Sequence, residues 1–209
     1  MEQSPKTDKS ARRAHFLSAR RSLSVTVRAG FDAAVVQLVI SLVRGGAIQL
    51  VAAYVPLPGE PGGDGLLPAL RAAGAEVVLP ILRDDLDLDW AHDDGTFRPG
   101  RFGLYEPAGR PADVREAALV LVPALAVDLA GNRLGKGGGS YDRALARVDA
   151  PTIALLYPGE RVELLPAEPH DRPVSGTVVG YEPAHLYWTK GVPMPHHWHS
   201  KYQSANDGG

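Results

Sequence analysis

A glycine-rich segment in the second half of the chain carries the residues best suited to chemistry. Glycines stand at positions 135, 137, 138 and 139, and a predicted helix follows them. Closely spaced glycines let several backbone N–H groups turn toward one point, and the start of a helix adds positive potential there. Arg133 and Lys136 add fixed positive charge beside the loop. The segment therefore predicts an anion-binding loop whose natural ligand is a phosphate group.

The known phosphate-loop patterns do not match this segment. The stretch from Gly131 to Lys136 is one residue shorter than the G-x-x-x-x-G-K spacing, and Gly137 stands where that motif has Ser or Thr. The dinucleotide pattern G-x-G-x-x-G fails at Ser140. Asp142, in the first predicted helical turn, offers hard oxygen to a divalent cation. From its residues alone the segment is either a phosphate site or a structural turn.

Apolar runs and helical segments alternate along the chain and would position this loop. The predicted buried strands are residues 48–55, 76–79, 119–122 and 152–157, and the predicted helices are residues 10–23, 25–45, 66–73, 111–118 and 141–148. We therefore predict an α/β fold: a single domain with a mostly parallel, twisted, Rossmann-like sheet and helices on both faces. In such folds ligands bind at the carboxyl ends of the strands.

Composition excludes several classes of protein. The chain has 209 residues, and its 22 Lys and Arg against 24 Asp and Glu leave a net charge of −2, which disfavours nucleic acid and anionic membranes as partners. It has no cysteine, which excludes disulfides and thiolate chemistry and suits a cytoplasmic protein. No uninterrupted apolar run approaches the roughly 20 residues that a membrane helix needs. We expect a soluble, cytoplasmic monomer with no membrane and no nucleic-acid partner.

The character of the sequence changes near its end. Residues 1–185 hold all the periodic segments and are predicted to form the domain. From residue 186 onward, Trp188, Met194 and Trp198 lie among Pro, Gly and Ser without a period of 2 or 3.6. We expect residues 186–209 to be a poorly ordered tail.

Several segments, in order along residues 9–180, resemble the 5-formyltetrahydrofolate cyclo-ligase family, also called methenyltetrahydrofolate synthetases. The resemblance is carried by Lys9 and Arg13 on the basic first helix, by residues 54–60 (YVPLPGE), 102–107 (FGLYEP), 122–128 (VPALAVD) and 133–143 (RLGKGGGSYDR), and by His170 and Asp171. It implies a fold of the cyclo-ligase type. It also implies an enzyme that uses ATP and Mg²⁺ to convert 5-formyltetrahydrofolate to 5,10-methenyltetrahydrofolate, releasing ADP and phosphate.

The resemblance further implies a role for each matching residue. Arg133, Lys136 and Asp142 are expected to be catalytic, Val55 and Glu60 to contact the pterin end of the folate, and Asp142 and Asp171 to bind magnesium. The residues expected to bind ATP are Lys9, Arg13, Arg133, Leu134, Gly135, Lys136, Gly137, Gly138, Gly139, Ser140 and Tyr141.

Three departures from the family pattern leave alternatives open. Ser140 stands where the family usually has Tyr or Phe, Val127 replaces a common Phe, and residues 176–181 match poorly. One alternative is a non-catalytic paralogue that binds folate or nucleotide without turnover. The other is a sugar-phosphate isomerase or acyl-transfer protein on a similar fold, whose glycine loop would hold a phosphate ester without any need for ATP.

Overall fold

An eight-stranded sheet forms the centre of the protein, as seen in a computed structural model that describes residues 5–202. The helices are α1 (Pro5–Ser22), α2 (Val25–Gly45), α3 (Leu66–Ala72), α4 (Ser140–Leu145) and α5 (His196–Tyr202). The strands are β1 (Leu50–Ala52), β2 (Glu76–Leu82), β3 (Leu88–His92), β4 (Phe97–Pro99), β5 (Tyr105–Pro107), β6 (Pro111–Ala112), β7 (Leu119–Pro123), β8 (Ala126–Asp128), β9 (Arg133–Leu134), β10 (Thr152–Leu156), β11 (Arg161–Val162), β12 (Gly176–Val179) and β13 (His185–Trp188).

The order of the strands creates a ligand-binding edge. The main sheet runs β13-β12-β10-β7-β1-β2-β3-β6, and its five central strands, from β12 to β2, are parallel. Among these five strands the chain order is 2-1-3-4-5, which is a doubly wound arrangement whose direction of winding reverses between β1 and β7. A crevice therefore opens at the carboxyl ends of β1 and β7. The predicted α/β class is confirmed.

Alternate residues of the parallel strands pack on opposite faces of the sheet. Val51, Leu119 and Leu121 belong to the core that α2, α3 and α5 cover. Ala52 and Val120 belong to a second core, which includes residues of α4 and of the 3-10 turn Val114–Glu116. Helical elements thus cover both faces, as the buried apolar runs predict.

Helix α2 begins and ends where the sequence predicts. The Ser24 hydroxyl accepts a hydrogen bond from the Val27 N–H (3.2 Å), and the helix ends at Gly45. Of the helices that the structure describes, α2 is the one long and apolar enough, by length and composition alone, to cross a membrane. Here four of its residues are buried in the core against the sheet: Val35, Val39, Leu42 and Val43.

A buried ion pair attaches helix α1 to the sheet. Arg20 donates from Nε to Glu160 Oε1 (2.6 Å), and from Nη2 both to Glu160 Oε2 (2.8 Å) and to the Ala124 carbonyl oxygen (2.6 Å). Burial raises the pKa of Glu160, and the Arg20 charge opposes that rise. Because Ala124 and Glu160 follow β7 and β10, this pair holds α1 across the carboxyl edge of the sheet.

The prediction of a poorly ordered tail from residue 186 is wrong for residues 186–202. Strand β13 pairs antiparallel with β12, and the Trp198 side chain in α5 is fully buried. The Trp198 indole N–H donates to the Leu42 carbonyl oxygen (3.1 Å), and its ring meets the Trp188 ring edge-on. Two large aromatic side chains order this segment without any periodic pattern, because each buries a large apolar area. Residues 203–209 lie outside the described residues.

The helix predicted at residues 111–118 is absent from the structure. Pro111 begins the short strand β6, which pairs with β3 at the edge of the sheet. Asp113 then caps a 3-10 turn, because its carboxylate accepts the Arg115 N–H (2.9 Å). Edge pairing and this side-chain cap replace the helical hydrogen bonds.

Candidate active site

A cavity of about 950 Å³ opens at the carboxyl ends of β1, β2 and β7. The loops after these strands, the first helix and the glycine loop form its walls. Every residue to which the family resemblance gives a role lines this cavity: Lys9, Arg13, Val55, Glu60, Arg133, Leu134, Gly135, Lys136, Gly137, Gly138, Gly139, Ser140, Tyr141, Asp142 and Asp171. The fold thus brings together, in one place, residues that are far apart in the sequence.

The glycine loop connects the β8–β9 hairpin to α4 and requires glycine at two positions. Gly137 has φ of +105° and Gly139 has φ of +68°. Residues that carry a Cβ atom rarely adopt such positive φ values. A Cβ atom at Gly137 would lie 3.3 Å from the Arg13 guanidinium carbon. Because α4 has only six residues, its helix dipole is small, and the positive potential comes mainly from the surrounding cationic side chains.

Helix α1 contributes two of these cations. Arg13 donates from Nε to the Gly135 carbonyl oxygen (2.9 Å), which ties the helix to the glycine loop. Lys9, one helical turn earlier, donates to Asp171 Oδ2 (2.9 Å) and lies 3.7 Å from Glu168. The spacing of four residues therefore places both side chains on the face of α1 that closes the cavity.

Arg133 is a buried cation that is paired with Asp142. Its side chain is 5% exposed, its Nη2 donates to Asp142 Oδ1 (2.9 Å), and its guanidinium lies 5.6 Å from the centre of the Tyr141 ring. Burial raises the pKa of the Tyr141 phenol, which keeps this ring neutral beside the cation. Among the described residues, Arg133 Nε has no hydrogen-bond partner. Because Arg133 lines the cavity, its guanidinium charge favours an anionic ligand there.

Lys136 and Glu60 form a direct ion pair between two loops. Lys136 Nζ lies 2.7 Å from Glu60 Oε1, while Glu60 Oε2 accepts the Leu57 N–H (2.9 Å). The Glu60 side chain is buried and that of Lys136 is half exposed. The sequence predicts separate roles for these residues, in ATP and folate binding. Their pairing shows that the loop after β1 and the glycine loop meet at this point.

The two predicted magnesium ligands lie on one wall of the cavity. Asp142 Oδ1 accepts the backbone N–H of Arg172 (3.3 Å), so Asp142 lies beside the segment that contains Asp171. Burial would raise the pKa of Asp171, but the Lys9 ammonium and the Glu168 N–H outweigh it and lower this pKa overall. Within the described part of the chain, Asp142 Oδ2 and Asp171 Oδ1 accept no hydrogen bond.

The donor set on this wall fits magnesium. Free carboxylate oxygens are the ligands that this ion prefers in proteins. Ligand atoms of Glu168, His170 and Asp171 also lie within 4.8 Å of one another. Glu168 was missed by the sequence analysis, although it stands only two positions before the His-Asp element.

A second wall of the cavity is mostly apolar. It is formed by residues at the ends of β2 and β3 and by the segment that leads into β5, namely Pro80, Leu82, Leu88, Leu104, Tyr105 and Glu106. The Phe102 side chain, in the segment that resembles the family, lies outside the described residues. One side of the cavity is therefore suited to a phosphate chain, and the other to a flat, weakly polar ring.

The fold and the cavity define a class of protein: a doubly wound α/β enzyme with an anion-binding loop at the switch point of its sheet. The sequence model of the "5-formyltetrahydrofolate cyclo-ligase family" matches residues 5–180. This chain belongs to that family, whose reaction is ATP-dependent.

Individual relatives agree with this assignment. A 5-formyltetrahydrofolate cyclo-ligase of Mycolicibacterium smegmatis is 43% identical over 178 residues, covering 78% of this chain and 89% of that protein. One of Haemophilus influenzae is 29% identical over 172 residues, covering 77% of this chain and 91% of that protein. The NMR structure of the Aquifex aeolicus 5,10-methenyltetrahydrofolate synthetase has a TM-score of 0.75 and 29% identity, covering 91% of this chain and 98% of that chain. The family and enzyme class predicted from the sequence are confirmed.

Proposed function

We propose that this enzyme uses ATP to convert 5-formyltetrahydrofolate to 5,10-methenyltetrahydrofolate, with release of ADP and phosphate. The observation that carries the proposal is the single cavity around which every residue with an expected role lies. Its volume of about 950 Å³ is at the upper end of the usual range for ligand sites, as two substrates require.

The cationic side of the cavity supplies what phosphoryl transfer needs. In the first step the formyl oxygen attacks the γ-phosphorus, an O–P bond forms, and ADP leaves. Such a transfer depends on alignment and on neutralisation of phosphate charge, and no covalent protein nucleophile is needed. Arg133, Lys136, Lys9 and Arg13 line the cavity beside the glycine loop and would supply the positive charge.

The second step closes the five-membered ring. The folate N10 attacks the activated formyl carbon, a C–N bond forms, and phosphate leaves with the former formyl oxygen while N10 loses its proton. Val55 and Glu60, in the loop after β1, line the cavity and would hold the folate there. The Lys136–Glu60 pair links the loop that would hold folate to the loop that would hold phosphate.

Asp142 and Asp171 would hold magnesium through the oxygens that accept no hydrogen bond from the described residues, with Glu168 beside them. When bound, this ion supplies positive charge that offsets the phosphate charge. Asp142 is oriented by Arg133, and Asp171 by Lys9. Each aspartate is therefore held in the cavity by a hydrogen bond from a cationic side chain that is also expected to bind ATP.

We also propose that the enzyme acts as a cytoplasmic monomer, without nucleic acid or a membrane as partner. The support is the net charge of −2, which gives the chain no overall attraction to nucleic acid or to an anionic membrane.

The test is to add 5-formyltetrahydrofolate to the protein with MgATP and to follow ADP and the methenyl product together. We expect the two products to appear in equal amounts. Asp142→Asn should lose turnover while it keeps the fold, and added magnesium should restore part of it. Asp149→Asn, at an exposed position near α4, is the matched control.

Three results would contradict this proposal. Binding of both substrates without ADP release would indicate the non-catalytic paralogue. Turnover of a phosphate ester without ATP would indicate an isomerase or transferase. An Asp142→Asn variant with wild-type turnover at limiting magnesium would exclude Asp142 from the site.

A further inference from the structure

The apolar wall of the cavity contains one carboxylate, Glu106. The residue is 8% exposed and lines the cavity together with Leu82, Leu88 and Leu104. Its Oε1 accepts the Leu82 backbone N–H (3.1 Å). Within residues 5–202, this is the one hydrogen bond to its side chain, and the second oxygen, Oε2, accepts none.

Glu106 differs from the other carboxylates that line the cavity. Glu60 faces Lys136 at 2.7 Å and Asp142 faces Arg133 at 2.9 Å. Asp171 and Glu168 lie beside Lys9. Within the described part of the chain, Glu106 has no cationic partner. A carboxylate in apolar surroundings is costly unless donors satisfy it, and Glu106 lines the cavity, so its second oxygen is available to donors of a ligand.

The chemistry of a carboxylate restricts the ligand. Ionised Glu106 can only accept hydrogen bonds, so it suits a ring edge on which two N–H donors are adjacent. The 2-amino-4-oxopyrimidine edge of a pterin offers an N–H beside an amino group. The adenine of ATP offers an acceptor nitrogen beside its amino group, which a carboxylate repels. The charge and the apolar surroundings of Glu106 therefore favour the folate ring over the nucleotide base.

We propose that Glu106 binds the aminopyrimidine edge of the pterin ring and determines specificity for it. This inference rests on the proposed function. It adds a residue that the resemblance leaves without a role, and it places the pterin on the β2 side of the cavity.

Gly100 supports this position of the carboxylate. A Cβ atom at residue 100 would lie 2.3 Å from the Glu106 carboxyl carbon. The backbone of Gly100 has φ of −112° and ψ of −161°, which an alanine can also adopt. The glycine is therefore needed for the space it leaves to Glu106, and Gly100→Ala would displace the carboxylate without removing it.

The test is a change of specificity in Glu106→Gln. The amide oxygen of Gln can still accept the Leu82 N–H, which leaves the amide NH₂ group to face the ring. Binding of 5-formyltetrahydrofolate is measured by calorimetry against its 2-oxo analogue, in which a carbonyl replaces the amino group. We expect wild type to prefer the amino compound by at least about tenfold, and the variant to lose or reverse that preference.

Two further variants make the result specific. Gly100→Ala should weaken binding of the amino compound more than binding of the 2-oxo analogue. Glu116→Gln, at an exposed position, is the control and should leave the preference for the amino compound unchanged. An unchanged preference in both Glu106→Gln and Gly100→Ala would overturn the inference. Even if this inference is overturned, the proposed function stands as long as the wild-type protein forms the methenyl product. If wild type forms no ADP, the proposed function fails whatever the preference.

Discussion

Lys136 lies in the glycine loop and pairs with Glu60 in the loop after β1. Its substitution therefore tests whether the glycine loop binds phosphate. In the structure its charge is balanced by Glu60, so a phosphate group that reaches Lys136 shares the ammonium with that carboxylate. Lys136→Met should weaken ATP binding by about 1.5 kcal/mol, or roughly tenfold, because one charge-assisted hydrogen bond is lost. Calorimetry with ATP measures this, and Lys190→Met, at an exposed position, is the control. Equal ATP affinity in both variants would remove Lys136 from the phosphate site.

The lowered pKa of Asp171 predicts how the stability of the protein changes in acid. Its pKa is lowered in the folded state: burial opposes the shift, and the Lys9 ammonium and the Glu168 N–H outweigh it. Its contribution to stability is therefore present above its unfolded pKa and is lost as pH falls through its folded pKa. Asp171→Asn should lower the free energy of unfolding by about 1 kcal/mol at neutral pH.

Urea unfolding of wild type and Asp171→Asn at several pH values measures this difference. The gap between the two proteins should close in the acid range, where the wild-type carboxyl group is protonated as well. A gap that stays constant down to the lowest pH would show that the charge of Asp171 does not contribute to stability.

Ser140 begins α4 and lines the cavity at the position where the family has an aromatic residue. An aromatic ring there adds stacking of about 0.5–1.5 kcal/mol beyond the area it buries. Ser140→Tyr should therefore lower the KM for folate by up to about tenfold, with less effect on the KM for ATP. Steady-state kinetics test this. A higher folate KM would mean that the new ring collides with a neighbour such as Tyr105.

Residue types predict much of the site. The glycine loop, Arg133, Lys136 and Asp142 are recognisable because they are consecutive or nearly so. The ion pairs Lys136–Glu60 and Lys9–Asp171 are not recognisable, because each joins segments that meet only in the folded chain. Glu106 lies in a segment that resembles the family, but no role could be assigned to it, since its burial without a cation is a property of the folded structure.

At the scale of elements, the position of α1 depends on the Arg20–Glu160 pair. Arg20→Met leaves the buried Glu160 carboxylate without its cation and should lower the free energy of unfolding by about 3–5 kcal/mol. Because Lys9 and Arg13 lie on the same helix, ATP binding should weaken as well. Denaturant unfolding and ATP calorimetry measure the two effects, with the exposed Arg21→Met as control.

A second variant separates charge from packing at this position. In Arg20→Met/Glu160→Leu the uncompensated carboxylate is gone, so stability should recover in part. Wild-type stability in Arg20→Met alone would show that other contacts hold α1 in place.

Elements with a strong periodic pattern are predictable, and short ones are not. Helix α2 has a capping serine and a terminal glycine, and both of its ends lie where the sequence predicts. Residues 111–118 contain helix-forming residues, yet pairing with β3 makes Pro111–Ala112 a strand. Local propensity is a weak guide when a sheet edge offers alternative hydrogen bonds.

For the whole molecule, Trp198 is predicted to matter for stability and not for catalysis. It is fully buried between α2 and β13 but does not line the cavity. Trp198→Ala should lower the free energy of unfolding by about 3–5 kcal/mol, because it leaves a large cavity, while the KM values of the folded protein stay unchanged. Urea unfolding and steady-state kinetics measure this. The exposed His196→Ala is the control, and equal stability of the two variants would contradict the packing.

Three long-range hydrogen-bonded contacts join the N-terminal part of the chain to its C-terminal part. Lys9 and Asp171 are 162 residues apart in sequence, Leu42 and Trp198 are 156 apart, and Arg20 and Glu160 are 140 apart. Long-range pairs of this kind form only after most of the chain has been gathered, and this makes folding slow. The consequence concerns the order of events in refolding: we expect the central parallel strands to pair first, and Lys9 and Arg13 of α1 to reach the glycine loop only late in folding.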